Sequence, residues 1–185
     1  MKLTATKRAG NKKSELTRLR AAKEVPAVFY IAGKENQLIA LDGSTFRKIL
    51  QNVERGHLST MRIELDIEGK SYSCLVREIQ YHPTTYAIEH VDLQGLDETR
   101  LIDVNVPIRC LNVVDSVGIK LGGFKRDVKR HVRVRCLPKD MPSAFDIDIK
   151  GLNIGGTVRV RDLSIPSEVK PLVGEKEVLI TIAKR

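Results

Sequence analysis

The chain has 185 residues, 42% hydrophobic and 30% charged, which predicts one large or two small folded domains and excludes a disordered chain. Its net charge of +9 calls for a polyanionic partner, nucleic acid before an anionic membrane surface, because no apolar run approaches the ~20 residues of a spanning helix. No apolar signal core follows the first lysines, so the expected address is cytoplasmic. Aromatics are only 4% with no Trp, so the cores must rest on Val, Ile and Leu, which suits β structure.

The first 23 residues hold eight basic side chains against Glu15 alone, a net +7 of the chain's +9. They read as a strand, Lys2–Lys7, a flexible AGNKK loop, and a helix over 15–23 capped by Ser14 and prevented from continuing by Pro26. Arg18 and Arg20, two apart, diverge on that helix, and Arg18 lies near Lys13 where loop meets helix. The competing reading is an ordinary solvated basic face. AVFYI (27–31) is a buried strand, and QLIAL (37–41) follows the turn AGKEN. Asp42 then caps GSTFRKILQN, where Phe46, Ile49, Leu50 and Val53 have helical spacing. TMRIELDI (60–67), the turn EGK and SYSCLVREIQ (71–80) form a hairpin; Pro83 marks a turn and TYAIEHVDL (85–93) a third strand. Such a meander removes its edges by curling into a small barrel. QGLDETR (94–100) reads as a linker.

The rest, 101–185, alternates with period two in strand-length pieces separated by turn residues and predicts an all-β domain. Between Arg109 and Arg135 it has eight basic residues against Asp115 and Asp127. In HVRVRCL, Arg133 and Arg135 share one face and Val132, Val134 and Cys136 the other, so a solvated sheet face is preferred to an RNA contact. Cys74, Cys110 and Cys136 form no CxxC pair and read as buried structural thiols. LGGFK and NIGGTV read as turns; a Walker A loop, GxGxxG and GxSxG are absent. Asp146 and Asp148 read as the wet face of a strand rather than a metal pair. Neither a metal, a cofactor, a small-molecule substrate nor a catalytic residue is expected.

The more informative cluster is Gln80, Tyr81 and His82 ending one strand, with His90 and Asp92 on the next. His90 and Asp92 share a face, with Ile88 expected beside them. Gln and Asp can read base edges, His can donate to phosphate, and Tyr30 and Tyr81 can stack or bond phosphate. The plainer reading makes His82 and Pro83 only a turn and His90 a spacer. His57 and His131 have no nameable partner.

These residues carry a resemblance. Arg8, Lys12-Lys13, Arg18-Leu19-Arg20, Pro26-Ala27-Val28-Phe29-Tyr30, then Gln80-Tyr81-His82-Pro83 and His90-Val91-Asp92, are similar to the bacterial large-subunit ribosomal protein family that binds 5S rRNA. VPI (106–108), CLPKDMP (136–142) and DIDIKGLNIGGTVRVRDL (146–163) resemble the second domain of its long form, the general stress protein CTC type. The resemblance implies a mainly β protein with some helix. Residues 1–93 would form a 5S rRNA-binding β-barrel similar to the anticodon-binding barrel of glutaminyl-tRNA synthetase, 94–100 a linker and 101–185 an all-β domain. It implies RNA contacts at Arg8, Lys12, Lys13, Arg18, Arg20, Tyr30, Gln80, Tyr81, His82, His90 and Asp92, with 5S rRNA and other large-subunit ribosomal components as partners and a monomer within the ribosome. The family's Gly-Lys-Gly loop reads Lys12-Lys13-Ser14 here, and two of its common arginines are Thr17 and Tyr81. The alternatives are a general tRNA-binding module and a stress-response adaptor acting through protein contacts of the second domain. A small hydrolase built on the His–Asp cluster lacks a metal set or nucleophile.

Overall fold

A computed structural model gives the fold and describes residues 2–8, 10, 12–33, 35–54 and 56–184. Two units divide the chain, Met1–Arg100 and Leu101–Arg185. The first contains β1 (Lys2–Lys7), α1 (Lys13–Ala21), β2 (Glu24–Tyr30), β3 (Gln37–Asp42), α2 (Gly43–Asn52), β4 (Ile63–Ile67), β5 (Lys70–Tyr81) and β6 (Ile88–Gly95). Its strands close a barrel in the order β1-β3-β2-β6-β5-β4, with β1 paired parallel to β4, so the expected curling of the meander is what forms. Alternation drives it: Leu3, Phe29, Ile39, Leu41, Leu65 and Leu93 are buried inward, and Phe46 and Ile49 of α2 join the same core. Asp42 caps α2 as expected, accepting from the backbone N–H groups of Ser44 (3.1 Å) and Thr45 (3.2 Å) and from both hydroxyls. At the β4–β5 turn Glu68 (φ 51°) and Gly69 (φ 81°) are both left-handed, as a two-residue hairpin turn requires, and Asp66 accepts from the Gly69 N–H.

Several boundaries differ from expectation for identifiable reasons. α1 begins at Lys13, not Glu15; Ser14 therefore lies inside the first turn, and the flanking Lys12 makes no side-chain cap. The helix ends because Lys23 turns the chain at φ 63°. Pro26 does not end it but lies in β2, where β3 alone flanks the strand, so its missing N–H breaks no ladder. The strand expected from Thr60 starts at Ile63, because His57–Thr60 winds into a 3-10 turn. β6 starts at Ile88 rather than Thr85. Residues 82–87 form the connecting turn, closed by His82 N–H to the Ala87 carbonyl (2.8 Å) and Tyr86 N–H to the His82 carbonyl (2.9 Å). Glu89 is bulged out of the β5–β6 ladder, which sends Ile88 into the core instead of onto the face of His90. β6 continues through Gln94 and Gly95, paired with Leu75 and Cys74, so the expected linker overlaps a barrel strand. Ala9 and Asn11 of the expected loop, and Lys34 of the turn 32–36, lie outside the described residues.

The second unit contains β7 (Ile102–Leu111), α3 (Val117–Lys120), β8 (Phe124–Asp127), β9 (His131–Cys136), β10 (Phe145–Asp148), β11 (Thr157–Arg159), β12 (Lys170–Pro171) and β13 (Val178–Ala183). They form a four-stranded sheet, β10-β7-β9-β12, and a three-stranded one, β11-β13-β8. β9 alternates as read, with Val132, Val134 and Cys136 buried and Arg133 and Arg135 exposed. Gly122 (φ 88°) and Gly155 (φ 82°) supply the left-handed positions of the two glycine turns. Cys74 and Cys136 are fully buried, but Cys110 is only half-buried: near the end of β7 its cover is the Lys125 side chain, with Nζ 3.6 Å from Sγ. No helix among the described residues is long and apolar enough to cross a membrane.

Candidate nucleic-acid interface

The outer surface of β2, β6 and β5 forms one polar face. Val91 and Leu93 of β6 point into the core, so His90, Asp92 and Gln94 point out. Register sets Gln80 opposite His90 and Glu78 opposite Asp92 across β5–β6, and Tyr30 opposite Gln94 across β2–β6. His90 Nδ1 lies 2.8 Å from Asp92 Oδ1, which orients the ring and leaves Nε2 for another partner. A bulge between Val76 and Glu78 exposes Arg77, whose Nε donates to Gln94 Oε1. Burial pushes the Tyr30 hydroxyl above its ordinary pKa, with the Arg77 charge opposing it. Tyr30, Gln80, His90 and Asp92 are thus brought together on one face.

α1 flanks this face and has no buried residue. Its apolar Leu16 and Leu19 are only half-covered, so it has little of the packing that normally stabilises a helix. Lys12, Lys13 and Arg18 are exposed and, among the described residues, have no acidic partner. Arg20 is anchored: its Nη2 donates to the Glu89 carbonyl (3.1 Å), tying the end of α1 to β6. Arg20, Lys23, Arg47, His82 and Glu89 line one cleft. His82 Nδ1 accepts from the backbone N–H groups of Thr84 (3.3 Å) and Thr85 (3.2 Å), so it shapes the 82–87 turn while Nε2 is left over. Tyr81 stands half-exposed in an adjoining groove. Arg8 is placed differently. Its guanidinium donates to the carbonyls of Ile39 (3.2 Å) and Gly10 (3.1 Å), folding the loop onto β3, and burial lowers its pKa against the opposing charge of Glu15.

Sequence reasoning missed Arg77, Gln94, Arg47 and Tyr86. Strict alternation counts Arg77 and Glu78 on opposite faces, and only the bulge puts both outside. Arg47 sits on the polar side of an amphipathic helix, where nothing in the sequence marks it. His57, without a nameable partner in the sequence, lies 3.5 Å from Glu54.

Of the eight cations between Arg109 and Arg135 in the second unit, six lie within salt-bridge distance of an acid. Arg133 and Arg135 both bond Asp103 of β7, and hydrogen bonding from Arg135 chiefly holds that carboxyl below its ordinary pKa. Arg109 makes a bidentate pair with Asp146 (2.7 and 2.8 Å), and Asn112 donates to Asp148, so both aspartates belong to a sheet face. Among the described residues no cluster of three or more His, Cys, Asp or Glu is arranged to hold a metal.

Fold and surface together define a two-unit β protein whose closed barrel carries a polar face flanked by a cationic helix. Two family models match it: the Ribosomal L25p family over residues 3–93, and the C-terminal domain of ribosomal protein TL5 over residues 101–185. Among curated relatives, the large ribosomal subunit protein bL25 of Chlamydia muridarum and that of Chlamydia caviae are each 40% identical, and that of Chlamydia pneumoniae 41%, all over the whole of both chains. The chain therefore belongs to the ribosomal L25p family, a family of large-subunit ribosomal proteins and not of enzymes.

Proposed function

We propose that the barrel unit binds 5S rRNA in the large ribosomal subunit, using α1 and the β2–β6–β5 face together. The observation that carries this reading is α1 itself: a helix with no buried residue that presents Lys13 and Arg18 without acidic partners among the described residues. Unpaired cations on such a helix repel one another unless an anion covers them. RNA phosphates supply that cover and release condensed counterions. A regular A-form major groove is too narrow to admit side chains, so the helix needs an irregular, widened segment, which the family resemblance implies to be the loop E region of 5S rRNA. Gln80, His90 and Asp92 beside it offer the donors and acceptors that read base edges there, and Tyr30 a phenol for stacking or phosphate bonding. In this reading Arg8, Arg20 and His82 chiefly shape the surface that Lys12, Lys13 and Arg18 charge, while 101–185 meets other large-subunit components and the protein is a monomer within the ribosome.

The test is a filter-binding titration of the full chain with purified 5S rRNA. Affinity should fall steeply with salt, and joint substitution Arg18→Ala/Arg20→Ala should weaken it at least tenfold. Undiminished binding by the double variant, or equal binding to tRNA in competition, would overturn the reading.

A further inference from the structure

We infer that the groove between α2 and the 82–87 turn holds an unpaired base of the bound RNA, stacked on Tyr86 and Tyr81. This rests on the 5S rRNA reading above and extends it to a part of the surface that reading leaves unused. Tyr86 is 77% exposed and Tyr81 49%, an unusual display for large aromatic rings in a chain that is only 4% aromatic. Tyr86 is also held at φ 54°, a left-handed conformation that a bulky side chain adopts only at a cost in conformational energy. The turn that imposes it is firmly built, with two backbone hydrogen bonds across 82–87 and two more onto the His82 ring. No burial of the ring offsets the cost. The ring is instead held out over a groove that Tyr81, Leu50, Gln51, Ile88 and Arg47 also line.

The occupant follows from what adjoins the groove. Arg47, Ala87 and Ile88 also line the neighbouring cleft, where the cations Arg20 and Lys23 stand with the neutral His82 and with Glu24 and Glu89. An aromatic platform beside a row of cations is the combination that recognises single-stranded nucleic acid: the base stacks and its phosphates are neutralised. A purely apolar partner would gain nothing from the cations, and a duplex would offer no free base face. The occupant is therefore a nucleotide turned out of the RNA stack, with its base on Tyr86, its edge within reach of Gln51 and a flanking phosphate at Arg47.

The experiment titrates full-length wild type, Tyr86→Ala, Tyr86→Phe, Tyr81→Ala and Arg47→Gln with 5S rRNA at several salt concentrations. Thermal melts of each free protein run alongside. Tyr86→Ala should lose about tenfold or more in affinity with an unchanged salt slope, because stacking releases no counterions. Tyr86→Phe should keep wild-type affinity within about twofold, since the ring and not the hydroxyl does the stacking. Arg47→Gln should weaken binding and flatten the slope by about one unit. Melting temperatures should hold, because the Tyr86 ring packs into no core. Wild-type binding with Tyr86→Ala and Tyr81→Ala both undiminished would overturn the base-stacking groove and leave the parent reading intact. Normal RNA binding by these variants with failed uptake into reconstituted large subunits would assign the groove to a ribosomal protein and equally overturn it. A wild-type chain that ignores 5S rRNA would overturn both.

Discussion

Asp42 shows how a single side chain sets a boundary and a pH response. Its carboxylate accepts from four donors on Ser44 and Thr45, the hydroxyl bonds weighing most, and these pull its pKa from 3.8 down to about 2. A folded-state value below the unfolded one means the folded state prefers the ionised form. The stabilisation is then complete above about pH 4 and disappears as pH falls through 2. Because the carboxylate is exposed to water, its contribution is that of an ordinary N-cap, about 1 kcal/mol, rather than the full worth of the shift. Urea unfolding of Asp42→Ala should show a deficit of that size at pH 6 that shrinks between pH 4 and pH 2; a constant deficit would mean the cap works without its charge. This residue was legible in the sequence because an N-cap acts over three residues. Arg8 was not. Whether a guanidinium meets RNA or the carbonyls of Ile39 and Gly10 depends on β3, thirty-one residues away. Cys110, read as buried from its apolar neighbours, is half-covered because Lys125 rather than a core side chain packs over it.

At the scale of elements, alternation and caps carried the hairpin β4–β5 and helix α2, and failed where one residue changes the register. Nothing local marks Glu89 as bulged, yet that bulge sends Ile88 inward and separates it from His90. The junction of the two helices is equally hidden. Gly43, the first residue of α2, donates its N–H to the carbonyl of Lys23 (3.2 Å), the left-handed residue that ends α1. A Cβ at position 43 would stand 2.3 Å from that carbonyl oxygen. Alanine is intrinsically the better helix former by up to about 1 kcal/mol. Here the obstacle is backbone already fixed by a hydrogen bond and a left-handed turn, so the steric cost of about 1–3 kcal/mol wins. Gly43→Ala should lower the melting temperature by several degrees and loosen the end of α1, where Arg20 is tied to Glu89. A melting temperature equal to or above wild type would show that the junction relaxes freely.

Over the whole molecule, net charge alone points away from the unit proposed to bind RNA. Residues 1–100 hold sixteen basic and thirteen acidic residues, a net +3, whereas 101–185 hold sixteen and ten, a net +6. What separates the basic cluster of each unit is pairing. Arg109, Lys120, Lys125, Lys129, Arg133 and Arg135 of the second unit each lie within salt-bridge distance of an acid. Lys12, Lys13 and Arg18 have no such partner among the described residues, although the remainder of their unit holds as many acids as bases. A cation already paired with a carboxylate must break that pair before it can meet a phosphate and displace the counterions condensed on the RNA. An unpaired one can do so at once. In the slope of log affinity against log salt, each phosphate neutralised contributes about 0.7 to 0.9 of a unit. Replacing Lys12, Lys13 and Arg18 together by Gln should therefore flatten the slope for 5S rRNA by about two units. Replacing Arg133 and Arg135 should leave it unchanged. Equal flattening by both sets would mean that the paired cations also meet RNA, and that sequence charge, rather than pairing, sets the footprint.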